Sequence, residues 1–476
     1  MALSVGVLLG GLVTAYVLHT IWQWRRLAHV PGPFLAGFSK LGMAMEILQL
    51  RLPASLEQLS NKYGSLVRVG PNDLITDDPD VLRRMMAARS PYTRGPWYEA
   101  LRVDPSKDNV LTLRDDAAHT ARRAKILPGY SGKENLSMEG SVETQIAKLI
   151  ELIETKYLST GQDYRPMDWG LKAQYFTLDV ISDLAWGRPM GFLEQDTDVY
   201  DYIKITTASV RVMLFVSTYP TLARALQSRF LRSILPKETD RVGFGPLIRI
   251  AKTVVAARFK PDAPDHRDML GSFIRHGLDQ DEASSESLLQ IIAGSDTSAT
   301  TIRSVMLNIL SNPPVYQKLQ AEIDKAIEMA KVSSPVKDAE GRQLPYLQAV
   351  IKEGLRVMPP ASGGLFKQVP PGGDVIDGMF IPGGTQIGSS VMALHRSKKI
   401  YGPDAHIYRP ERWLEAEGEQ LARMNSTVDL IFHYGKYQCP GKGVAWMEFN
   451  KIFIEGIWLI EDLWLRVSRR NEERSS

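Results

Sequence analysis

The chain has 476 residues, 44% apolar and 23% charged, with 57 Lys and Arg against 54 Asp and Glu. That length supports one large catalytic core, and a formal net charge of +3 excludes the clustered basic face that nucleic-acid binding requires. A single cysteine, Cys439, excludes an intrachain disulfide framework and a cysteine-rich zinc site, and places the body on the reducing side of any membrane.

In chain order, Leu3–Trp22 comes first and contains no Lys, Arg, Asp or Glu. At a helical rise it reaches about 30 Å, the thickness of a bilayer's hydrocarbon core. Arg25 and Arg26 follow, with Trp22 and Trp24 at the level of an interfacial aromatic belt. Residues 1–24 are therefore expected to be a membrane anchor with the amino terminus outside and the body in the cytosol; a cleaved signal peptide would carry charge before a shorter apolar run. "HVPGPF" makes residues 25–34 a stiff hinge, and 35–476 reads as one body. Short strands are expected at Ser65–Gly70 and Asp73–Asp77, around a Pro-Asn turn.

From about Ala117 to Ile327 helical periodicity dominates, as where Ile146, Leu149, Ile150 and Ile153 share one face. Leu288–Asn312 is apolar nearly all round and predicts a helix through the middle of the body. "PPGGDVIDGMFIPGGTQI" predicts further short strands, so the fold class is mainly α with a smaller β portion.

Four stretches carry chemistry. In "FHYGKYQCPG" (432–441) a thiolate ligand would want backbone N–H donors and a helix N-terminus nearby; Gly435 and Gly441 permit close backbone approach and Phe432 can exclude water. Alone, Cys439 reads first as a small buried hydrophobe. "AGSDTS" (293–298) puts glycine in the central helix, where a widened turn would seat the Thr297 hydroxyl beside the Asp296 carboxylate, an arrangement suited to proton delivery; a packing glycine is the alternative. In "KEGLR", Glu353 and Arg356 lie three apart on one helix face, and "RPERW" offers Arg412 as a common partner.

In this order and spacing, behind an apolar amino-terminal run, these stretches resemble the haem-thiolate monooxygenases of the cytochrome P-450 family. The cysteine tract matches the family's Phe-x-x-Gly-x-x-x-Cys-x-Gly, and the resemblance runs from Pro31 to about Lys451. "YGSLVRVGPNDL" and "HRSKKIYGPDAHIYRPERWL" look most like the filamentous-fungal microsomal branch, whose members commonly tailor secondary metabolites.

The resemblance implies a cytochrome P-450 fold behind one transmembrane helix, with Cys439 as axial ligand to the iron of haem b. It implies Asp296 and Thr297 as the acid–alcohol pair that guides protons to dioxygen, and Glu353, Arg356 and Arg412 as a structural lock. His119, Arg123 and Lys367 would hold the haem propionates. Tyr437 stands where the family commonly has Arg, and its phenol could still donate to a carboxylate. Pro440 lacks an N–H, so the sulfur would be less neutralised and the iron's potential lower. Electrons would come from NADPH through NADPH–cytochrome P-450 reductase at the endoplasmic reticulum membrane, with Lys436 and Lys442 available to dock an acidic partner. The substrate would be a largely apolar small molecule held among Tyr92–Leu113, the helix around 206–217, the distal face of the central helix and "PPASGGLF" (359–366). One departure begins near residue 454: the chain ends early in a charged tail, leaving the closing element of the pocket in question. Two alternatives stay open, a haem-thiolate enzyme that rearranges its substrate without oxygen and an inactive, haem-poor membrane protein.

Overall fold

The computed structural model describes residues 2–105, 107–135, 137–160, 163–241, 243–455 and 464–465, with the backbone alone at 2–10, 12, 13, 16 and 464–465. A helix spans Ala2–Arg26. Its end is fastened to the body: Arg68, 3% exposed, donates to the Trp24 carbonyl at 3.0 Å and the Gln23 carbonyl at 3.2 Å. A guanidinium satisfies the orphan carbonyls at a helix C-terminus and complements its dipole. The hinge then lies along the first strand, with Arg68 N–H bonded to the Pro31 carbonyl at 2.8 Å. Among the described residues no helix is long and apolar enough to cross a membrane, and most side chains of the expected anchor lie outside them.

The main sheet has five strands in the order β1-β2-β8-β5-β3. β1 (Leu66–Gly70) and β2 (Asp73–Thr76) form the expected antiparallel pair. β2 runs parallel to β8 (Gln386–Ser389), and the short β5 (Lys367–Gln368) joins β8 to β3 (Thr93–Arg94). That last pairing sets Arg94 directly opposite Lys367. "DVIDGMFI" forms a separate hairpin, β6 (Asp374–Ile376) with β7 (Met379–Ile381).

The central helix is longer than expected, Gln280–Leu310, and opens with a capping box in which Asp279 and Glu282 satisfy each other's backbone N–H groups. It packs against the helices Trp169–Trp186, Pro345–Val357 and Lys442–Glu455. The helix is continuous through "AGSDTS", so the expected widened turn is absent. Gly294 is there for packing: a Cβ would come within 2.6 Å of Ile181 on the neighbouring helix. Phe176, Ile302, Val305, Leu347, Ile351 and Phe453 are buried where these helices meet. Near the carboxyl end, β9 (Trp464–Leu465) pairs antiparallel with β4 (Met167–Asp168), so a strand follows the departure point. The charged tail lies outside the described residues.

Candidate active site

The cysteine loop is built from local constraints. Cys439 N–H bonds to the Phe432 carbonyl at 2.8 Å and closes the loop. Gly435 has φ +56°, and a Cβ there would sit on the Met86 carbonyl, so glycine is required. Cys439 is half-buried at the entry to the helix Lys442–Glu455, where the Gly441 and Lys442 backbone amides act electrostatically on its thiol. Burial pushes the thiol up, opposed by these amides and the Arg123 guanidinium. Among the described residues no three His, Cys, Asp or Glu side chains could hold a metal together.

The second part is a cluster of buried basic side chains, with Asp116 as the carboxylate acting on Arg94 and Lys367. Lys367, 4% exposed, has the Tyr98 hydroxyl at 3.0 Å and lies 3.6 Å from the centre of the Tyr437 ring. The Arg94 guanidinium covers the same ring at 4.8 Å and leaves its Nε without a partner. His119, on the helix Asp116–Tyr130, has both ring nitrogens buried and unpartnered. Burial first, then Arg94, Arg123, Lys367 and Lys436, push its pKa down to about 3. Buried unsatisfied donors are costly, and these converge as a pair of carboxylates would require. The residues fit the two propionates of haem.

Three expectations change here. The Tyr437 hydroxyl donates to Asp116 at 3.0 Å, so the side chain offers the site a ring face instead of a hydrogen bond. Lys436 is drawn inward to Asp116 at 2.6 Å and to the Ser90 and Tyr92 carbonyls, and Lys442 pairs with Asp429 at 2.9 Å; neither is free for docking. Arg94 was not among the expected residues, because its place in the cluster comes from strand pairing with a remote segment. Arg123 is half-buried and interacts electrostatically with Cys439.

On the central helix, Ala293 and Thr297 are exposed amid buried neighbours and share a face that borders open space. The Thr297 hydroxyl donates to the Ala293 carbonyl at 2.9 Å, not to Asp296. Asp296 turns toward the helix Trp169–Trp186, where Gln174 donates to it at 2.5 Å. Arg303 in turn donates to Gln174 at 2.7 Å and to the Gly170 carbonyl at 2.7 Å. Burial pushes the Asp296 carboxyl up while Arg303 pulls it down. The acid and the alcohol are thus adjacent in sequence but bonded apart. Gln174 and Arg303 were missed; a glutamine inside an apolar helix and an arginine two turns beyond Asp296 were the available signals.

Glu353, Arg356 and Arg412 do meet, fully buried. Glu353 accepts five hydrogen bonds, two from Arg356 and one each from Arg412, Trp413 and the Arg409 N–H. The arginines pass the constraint on, Arg356 to the carbonyls of His395, Ala405 and Ile407, and Arg412 to those of Tyr401, Asp404 and Ile407. Three of the four expected pocket segments border an apolar cavity of 440 Å³, with Trp97, Leu101, Leu214 on the helix Tyr202–Thr218 and Pro360–Phe366 in its walls; the central helix does not line it.

The sequence profile described as Cytochrome P450 matches residues 35–458. The chain is 45% identical over 453 residues to Cytochrome P450 monooxygenase ABA1 of Pyricularia oryzae, covering 93% of this chain and 88% of that one. It is 42% identical over 433 residues to Cytochrome P450 monooxygenase aba1 of Botryotinia fuckeliana, covering 90% and 85%. Cytochrome P450 monooxygenase abl1 of Leptosphaeria maculans is 36% identical over 439 residues, covering 91% and 77%.

Proposed function

The chain belongs to the cytochrome P450 monooxygenase family, and from that premise we propose that it inserts one atom of dioxygen into a largely apolar small molecule as a tailoring step of fungal secondary metabolism. The family's haem, when bound, supplies the thiolate-ligated iron centre that activates dioxygen with two electrons from a redox partner. Cys439 would hold that iron, with the Gly441 and Lys442 amides steadying the sulfur. Arg123, Lys367 and Arg94 would offset the charge of the propionates and His119 would donate a ring N–H to one of them, while Phe432 and the Tyr437 ring would exclude water. Asp296 would carry protons in from the Gln174–Arg303 side. The Thr297 hydroxyl, released from the Ala293 carbonyl, would hand them on at the distal face.

We take NADPH, through NADPH–cytochrome P450 reductase, as the electron source. The uncharged run Leu3–Trp22 with Arg25 and Arg26 behind it supports anchoring in the endoplasmic reticulum membrane, with the body in the cytosol. The observation that carries the reading is the lone cysteine at a helix entry beside buried basic side chains, where both His119 ring nitrogens and Arg94 Nε have no partner.

The test pairs purified protein with the reductase in lipid and adds extract from a strain lacking the gene. Substrate-dependent consumption of NADPH and oxygen, with a product heavier by one oxygen atom, is expected. An isomeric product formed without oxygen uptake would establish the rearrangement reading instead, and protein that never takes up haem would establish the inactive one.

A further inference from the structure

Arg94, 6% exposed on β3, has one end committed and one end open. Nη1 donates to the Val110 carbonyl at 2.6 Å and to the Leu113 carbonyl at 3.0 Å, while Nε has no partner. Asp116, the carboxylate that acts on this guanidinium, is itself engaged by the Tyr437 hydroxyl at 3.0 Å and by Lys436 at 2.6 Å. A buried charged donor without an acceptor is costly, and a carboxylate is the acceptor a guanidinium pairs with best.

The other end of Arg94 reaches a segment that is rigid in itself. Asn109 Oδ1 accepts from the Leu111 and Thr112 N–H groups at 3.0 and 3.1 Å, and the Thr112 hydroxyl donates to Asp108 at 2.8 Å. Side-chain bonds of this kind close a turn on its own backbone, so 108–113 shifts as a unit. What sets its place is the Val110 peptide, held from both sides. Its N–H donates at 2.7 Å to Glu286, 2% exposed on the central helix, and Arg122 donates to the same carboxylate oxygen at 2.9 Å. Its carbonyl is held by Arg94. The segment belongs to the stretch Tyr92–Leu113 expected to border the substrate.

We propose that Arg94 is a positioning residue that carries occupancy of the cofactor site to the substrate loop. A cofactor carboxylate on Nε holds the guanidinium in place, and Nη1 then fixes 108–113 against Glu286. Without that anion Arg94 lies among Lys367, Arg123 and Lys436 as one more buried or half-buried cation, its side chain is less firmly placed, and the Val110 and Leu113 carbonyls lose their fixed donor.

The proposal rests on the haem reading in taking the anion as a propionate, and the experiment separates the two. Full-length protein is loaded either with haem b or with haem dimethyl ester, which keeps the iron and lacks the carboxylates, and hydrogen exchange is followed by mass spectrometry. Exchange over 108–113 is expected to be about tenfold slower with haem b. In Arg94→Met the segment exchanges as fast as in the ester-loaded wild type, and the two cofactors give the same rate. Equal exchange with both cofactors in the wild type, a slowing of equal size throughout the chain, or an undiminished cofactor effect in Arg94→Met overturns the proposal. The cofactor comparison needs no substitution, so it decides the matter even where Arg94→Met does not fold. Carbon monoxide spectra of the same samples report on the haem-thiolate reading: a thiolate band with equal exchange sinks the coupling alone.

Discussion

Replacing Glu353 by glutamine removes one negative charge from between two buried guanidinium groups while leaving the volume nearly unchanged. An amide oxygen at Oε1 can still accept from Arg356 Nη2 at 2.7 Å, Arg412 Nε at 2.9 Å and the Arg409 N–H at 2.9 Å. The amide nitrogen then replaces the atom that accepts from Arg356 Nε at 2.8 Å and Trp413 Nε1 at 2.9 Å, so donor meets donor twice. Breaking a buried pair from one side costs about 3–5 kcal/mol, a large share of the roughly 5–15 kcal/mol by which folded proteins exceed their unfolded state. The loss would be felt through residues 395–413, whose carbonyls Arg356 and Arg412 hold ahead of the cysteine loop. Urea unfolding followed by circular dichroism should show the midpoint falling by the equivalent of that energy, and the ratio of carbon-monoxide-reactive haem to protein should fall with it. A variant within about 1 kcal/mol of the wild type with full haem content would refute the claim that this cluster locks the cysteine face.

Three further outcomes are expected. Asp296→Asn should lower turnover about a hundredfold, and Gln174→Leu by a smaller factor, with NADPH consumption continuing and the carbon monoxide spectrum unchanged; full coupling in both would remove Asp296 from proton delivery. Glu448 is buried, and burial pushes its carboxyl from 4.5 up to about 8 against the Ser298 hydroxyl. The folded state therefore holds a proton that the unfolded chain releases, and stability should fall between pH 4.5 and 8 by at most about 5 kcal/mol. Glu448→Gln should flatten that slope in pH-dependent unfolding, and an unchanged slope would contradict the assignment. Pro440→Leu restores an amide N–H beside a sulfur now served by Gly441 and Lys442, so redox titration should show a higher potential; an identical potential would show that residue 440 does not face the sulfur.

What the sequence revealed and what it hid divide along chain distance. β1 and β2 appeared within a residue of their expected bounds, because short β-branched and apolar runs around a Pro-Asn turn are a local signal. The cysteine loop was legible for the same reason: Gly435, Phe432 and Cys439 constrain one another within eight positions. Glu353 and Arg356 followed from helical spacing, and Arg412 from the resemblance. Arg94 was not legible, since only the pairing of β3 with β5 sets it against Lys367. The direction of the Tyr437 hydroxyl depends on Asp116, a residue on another helix. At "AGSDTS" the glycine was there for Ile181, a neighbour no local pattern exposes, and the expected kink was absent. Asp296 likewise owes its orientation to Gln174 across a helix interface, itself held by Arg303 of the central helix.

The most direct measurement is the absorption spectrum of the reduced, haem-loaded protein under carbon monoxide, for the wild type and for Cys439→Ser. The wild type should show the red-shifted Soret band of a thiolate-bound iron, and the variant should lose that band while any retained haem absorbs at shorter wavelength. A wild-type spectrum without that band, or a Cys439→Ser spectrum that keeps it, would contradict the assignment of this sulfur as the iron's ligand and with it the proposed chemistry.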